Sequence, residues 1–237
     1  MTRYLTILLA VLFAITSLPH SAVAEERKPL PMDSDTIRSS PGQGRAFFVE
    51  EDAWVEYMDE QVHEQYFVQA REALAKNDKK EAAQQLGRGV LYMRMEGGRA
   101  SKEAKPILKQ SELILKHMVD GLKSGTTPTL TALDSAYARA NYALALHHYL
   151  NAKENWVDRA GNVVGHDLKA TANELRFAIV WSGQTLSEST KQTLYDVAVV
   201  GEAMADNSDY TNDDVDKSIA TMGQQVDLVG KNPAFAR

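Results

Sequence analysis

Leu130-Thr-Ala-Leu133-Asp-Ser-Ala-Tyr137-Ala-Arg-Ala140-Asn-Tyr-Ala-Leu144-Ala-Leu146-His-His-Tyr-Leu150-Asn-Ala-Lys-Glu-Asn-Trp-Val157 places its apolar side chains mostly three and four residues apart. That period fits the 3.6-residue turn of an α-helix and not the two-residue repeat of a strand. Thr127 followed by Pro128 reads as an N-cap with proline at the first helical position, where a missing N–H costs nothing. One long helix therefore runs to Val157.

The same period recurs on both sides of this stretch. Before it lie Val55, Met58, Val62, Tyr66, Ala70 and Ala73, then Ala83, Leu86, Val90 and Met93, then Ala104, Leu108, Leu115, Met118 and Leu122. After it come Leu168, Ala172, Leu175 and Ala178, then Leu194, Val197, Val200, Ala203 and Met204, then Val215, Ile219, Met222, Val226 and Val229. Each stripe lets a helix bury one face against its neighbours. Clean two-residue alternation occurs nowhere, so the expected fold is all-α, an antiparallel helical bundle of about seven helices. Gly97-Gly98 should end the second helix, and Ser101 and Ser187 should cap helix starts. Thr211 with Asp214 has the spacing of a capping box. Gly161 and Gly165 are read as bracketing the loop after the long helix.

Parts of the chain repeat. Lys80-Glu-Ala-Ala83-Gln-Gln-Leu86 matches Lys169-Ala-Thr-Ala172-Asn-Glu-Leu175, and Ser101, Lys105, Leu108 and Met118 match Ser187, Lys191, Leu194 and Met204. The expectation is two duplicated helical units, residues 46–125 and 126–231, followed by a tail at 232–237. Gly87, Gly89 and Gly201 fall inside helices, where glycine costs up to about 1 kcal/mol relative to alanine. Close helix–helix approach, or the wall of a pocket, would account for them.

The first residues read differently. Arg3 precedes an apolar run, and Ala22 and Ala24 sit where a signal peptidase requires small residues. We expect a signal peptide over 1–24, cleaved after Ala24, export to a periplasm, and no membrane association afterwards. Residues 25–45, with Pro29, Pro31, Pro41, Gly42 and Gly44, read as a flexible lead-in. The chain has 26 Lys and Arg against 32 Asp and Glu, a formal charge of −6. Such a balance argues against nucleic acid as a partner, because polyanions reward surplus cations. Cysteine is absent, which excludes disulfides, thioether haem attachment and cysteine-ligated clusters.

The search for chemistry finds few candidates. No two histidines have the i, i+4 spacing of a zinc-hydrolase helix, and Glu60-Gln-Val-His63 is a lone Glu-x-x-His where a diiron bundle needs two. Asp206 to Asp216 lacks the central glycine and terminal glutamate of a calcium loop and reads as a polar turn. No nucleophile elbow or phosphate loop occurs, so no enzymatic activity and no cofactor are expected. Aromatic and imidazole side chains concentrate on helix 130–157 and on the helix ending at Ala75. His63, Tyr66, His147, His148 and Trp156 are therefore the candidate ligand-binding residues; which metal they would prefer stays unknown. Adjacent residues of a helix point about 100° apart, so only one of His147 and His148 should face the interior. The simpler reading gives these rings bundle-edge places, with carbon inward and polar atoms toward solvent.

Gln69-Ala-Arg-Glu-Ala-Leu74-Ala-Lys-Asn-Asp-Lys-Lys-Glu-Ala82-Ala-Gln-Gln-Leu86 resembles the opening of the YfdX-type periplasmic proteins, and the layout is similar over roughly residues 60 to 230. The resemblance implies export, an all-helical fold, association with stress, and oligomerisation or chaperone-like binding of clients. It carries over no catalytic residue. The leading expectation is thus an exported helical interaction protein whose partner is another protein or a second copy. The alternative is a carrier of a metal, haem or small ligand on helix 130–157.

Overall fold

The computed structural model describes residues 66–232 and Phe235. The expected signal peptide and lead-in, the stripe positions Val55, Met58 and Val62, and His63 lie outside the described residues. Among the described residues there are seven helices and no strand. They are α1 (Val68–Ala75), α2 (Lys79–Arg99), α3 (Lys105–Lys123), α4 (Leu130–Val157), α5 (Gly161–Trp181), α6 (Glu188–Ala205) and α7 (Asn212–Gly230). None is long and apolar enough to cross a membrane.

Local chemistry sets the boundaries. Asn77 adopts the left-handed region at φ 59°, which turns the chain after α1, and Asp78 caps α2 by accepting from the Glu81 amide. Ser101 Oγ accepts from the amide of Ala104 just ahead of α3. Ser187 caps α6, and Thr211 with Asp214 forms the expected reciprocal capping box on α7. Two expected boundaries are corrected. Thr129, not Thr127, is the N-cap of α4: its hydroxyl accepts from Ala132 N, so Pro128 stands before the cap. Gly161 and Gly165 do not flank a loop; both lie in the first turns of α5.

Gly165 is in the helix because α6 comes close there. A Cβ on Gly165 would stand 2.5 Å from the carbonyl oxygen of Gly201, and a Cβ on Gly201 would stand 2.7 Å from that of Gly165. Real Cβ atoms do not approach backbone so closely, so both glycines let the two backbones touch. Gly89 has a similar reason, since the ring of Phe67 fills the space a Cβ would take. Gly87 has none: nothing lies within 4 Å of an added Cβ.

The helices enclose two apolar cores. The first holds side chains of α1, α2 and α3 with Leu133, Ala136, Tyr137, Ala140, Ala143 and Leu144 of α4. The second is built by α5, α6 and α7 with Ala138, Ala145, Ala152 and Trp156 of α4. Tyr137 stacks on Phe67 at 4.2 Å and meets the edge of Trp181 at 5.2 Å; Trp181 packs against both cores. Of the apolar residues matched in the sequence, Ala83 and Ala172, Leu86 and Leu175, and Leu108 and Leu194 are buried, whereas Met204 is buried and Met118 only partly so.

α4 is therefore not a helix with one apolar face. It packs against α1, α2, α3, α5 and α7 and is buried on several sides. The alanines at 138, 145 and 152 form a second stripe, two heptads long, that lets the neighbours of the second core approach. Val157, read from the sequence as a core position, is 80% exposed, while Trp156 beside it is buried in the second core.

Candidate functional site

Helix α4 presents its two adjacent imidazoles between the cores, one toward α2 and one toward α5. Both are buried, which corrects the expectation that only one would face inward and that their polar atoms would reach solvent. The 100° between them does separate their directions, but α4 has a neighbouring helix in each. Their ring centroids lie 5.0 Å apart.

His147 Nε2 stands 3.0 Å from Glu96 Oε2, and both side chains are fully buried. Arg99, one turn along α2 from Glu96, donates from Nη2 to both carboxylate oxygens at 2.6 and 2.8 Å. Burial alone would raise the Glu96 carboxyl. The hydrogen bond from His147, the charge of His148 and the Arg99 guanidinium outweigh it and lower that carboxyl to about 2 from 4.5. An ionised carboxylate can only accept, so the hydrogen in this contact belongs to His147 Nε2.

His148 turns the other way. Its Nδ1 stands 3.0 Å from Asp167 Oδ1 on α5, and the Asn155 amide lies 3.5 Å from Oδ2. The Asp167 carbonyl in turn accepts from the Thr171 hydroxyl at 2.6 Å. Two histidine–carboxylate pairs thus tie the middle of α4 to α2 and α5. Neither imidazole lines the surface grooves on α2–α3, on α5–α6, or beside Phe235. A metal or haem iron would have to displace a buried carboxylate from His147 or His148 before either nitrogen engaged in these contacts could ligate it. Among the described residues, no group of three or more His, Asp or Glu is placed to hold a metal ion.

The other candidates are dispersed. Tyr66 is half-buried at the edge of the first core, with the Arg88 guanidinium 5.6 Å from its ring. Trp156 lies at the far end of α4; its indole N–H donates to Asp216 of α7 at 2.6 Å, and Arg159 sits 4.1 Å over its ring. Both arrangements are cation–π and hydrogen-bond contacts of ordinary packing. His63 falls outside the described residues.

The sequence reading missed Glu96 and Asp167, although a signal existed. Glu96 continues the Leu86, Val90, Met93 stripe one step further, and Asp167 adjoins the Leu168 stripe, so each is a carboxylate on a core face. A buried charge requires a partner, and the two histidines were the available ones.

No family model matches the chain, and no curated protein or solved structure does.

Proposed function

We propose that the chain is an exported helical interaction protein, a stress-related, chaperone-like factor of the periplasm, in keeping with its resemblance to the YfdX-type proteins. The observation that carries this reading is the distribution of side chains. The candidate imidazoles His147 and His148 are each paired with a carboxylate inside the bundle, whereas several large apolar side chains stand in solvent. Leu91 and Met95 on α2 and Leu113 on α3 are 56%, 40% and 45% exposed, and Tyr195 on α6 is 65% exposed. Scattered exposed apolar residues are common, but Leu91 and Met95 share a helix face one turn apart. A surface of this kind meets apolar segments of another protein. The carrier alternative is less favoured because His147 and His148 are buried and line none of the surface grooves through which a ligand would reach them.

The test is suppression of aggregation. A thermally unfolding client enzyme is followed by light scattering with and without the exported chain, whose mature N-terminus is read by Edman sequencing. Suppression near equimolar ratio, with a first residue of Glu25, is the expected result. Unchanged scattering, or a stoichiometric haem or metal in protein isolated from its own compartment, would overturn the reading.

A further inference from the structure

Between α2 and α3, over an edge of the first core, runs an open groove of about 790 Å³. Its floor is apolar, built by Ala83, Val90, Leu91, Val119 and Leu122. Its walls are cationic: Lys79, Lys80, Arg88, Arg94, Lys116 and Lys123 line it against one carboxylate, Asp120. In a chain whose acids outnumber its bases 32 to 26, six cations around one acid is a local reversal of sign. Internal pairing accounts for part of it. Lys116 bonds Asp120 at 2.6 Å and Arg94 bonds Glu112 at 2.9 Å. Lys80 and Lys123 make no salt bridge among the described residues, and Lys79 donates to the carbonyl of Gly125 at 3.1 Å.

We propose that this groove docks an acidic amphipathic helix of a partner protein. The proposal rests on the interaction reading above and names the partner's chemistry. Three features select the occupant. The groove follows α2 from Lys79 to Arg94, about 22 Å at the α-helical rise, which matches some four turns of a helix and exceeds a small ligand. Its cross-section pairs an oily floor with cations on both rims, the complement of a helix with one apolar stripe flanked by Glu and Asp. Third, Gly87 lines the groove with no side chain and with empty space where a Cβ would stand. A third helix laid on α2 and α3 can bring a side chain onto the α2 backbone there, which allows the 8–10 Å axial separation of packed helices. Gly87 has no such reason inside the bundle.

The probe is a fluorescein-labelled synthetic helix of ~18 residues, long enough to fill the groove, with Leu at i, i+3, i+4 and i+7 and Glu on the flanks. It is titrated with the full chain. One peptide should bind per chain, and affinity should fall about tenfold or more for Lys80→Glu/Lys123→Glu, which sets like charges against the peptide's carboxylates, and for Gly87→Phe, which fills the gap on α2. Lys80 and Lys123 are exposed, so the charge-reversal variant keeps the parent's circular dichroism and tests the groove without testing the fold. A peptide with Lys in place of Glu should not bind. Equal binding of the two peptides, parental affinity in both variants, or binding of dodecanoate in place of the acidic peptide would overturn the proposal. If the groove variants still suppress aggregation while the acidic peptide fails to bind, the docking proposal falls and the broader interaction reading stands.

Discussion

His147 Nε2 and Glu96 Oε2 meet at 3.0 Å with neither side chain reaching solvent. A buried ion pair contributes little relative to well-packed carbon, but removing one partner leaves the other stranded. Glu96→Ala should therefore cost about 3 kcal/mol, because His147 and Arg99 both lose their acceptor. The double variant Glu96→Leu/His147→Leu should recover most of that loss. Urea denaturation of the two variants checks it, and a double variant no more stable than Glu96→Ala would refute the argument.

Acid should find the same contact. The Glu96 carboxyl titrates at about 2 in the folded chain against 4.5 as a free group. The folded state therefore holds its proton less tightly than the unfolded state. The stabilisation is fully present above pH 4.5 and is lost as pH falls toward 2. Complete loss amounts to about 3 kcal/mol at roughly 1.4 kcal/mol per unit. In Glu96→Gln the curve of stability against pH should be flatter over that window than in the parent. Parallel curves would show that other carboxylates carry the acid sensitivity.

Two glycines should respond in opposite directions to the same substitution. Gly165→Ala drives a Cβ into the Gly201 carbonyl and the Ala205 amide, both at 2.5 Å, so α5 and α6 must separate. The cost should be about 2–3 kcal/mol, the usual range for overpacking. Gly87→Ala meets open space and replaces the poorer helix former, so it should stabilise by up to about 1 kcal/mol. Thermal melts of both variants measure this directly. A stabilised Gly165→Ala would mean that α5 and α6 do not touch as described.

Helical period made most of the bundle readable in advance. Ala83, Leu86, Val90 and Met93, and likewise Leu168, Ala172, Leu175 and Ala178, are buried as their spacing required. Capping was equally local: Ser187 and the Thr211–Asp214 box depend on side chains three residues from the amides they satisfy. The failures are those of neighbours. Val157 obeys the period but stands exposed, and Pro128 fits N1 but the adjacent Thr129 makes the cap.

The candidate site was half legible. His147, His148 and Trp156 were selected because polar aromatics gathered on one helix, but their partners Glu96, Asp167 and Asp216 lie 51, 19 and 60 residues away. Nothing local in the chain links such positions.

What the sequence determined by itself is the helices, because hydrogen bonding within a turn, caps and apolar period are settled among residues a few places apart. Tertiary structure decided that α4 would be enclosed by neighbours on several sides. It thereby decided that both histidines would be buried against carboxylates, and that the cations of α2 and α3 would share one groove. Those outcomes depend on which helix faces stand opposite one another, a matter of packing between distant segments that periodicity within any one segment does not specify.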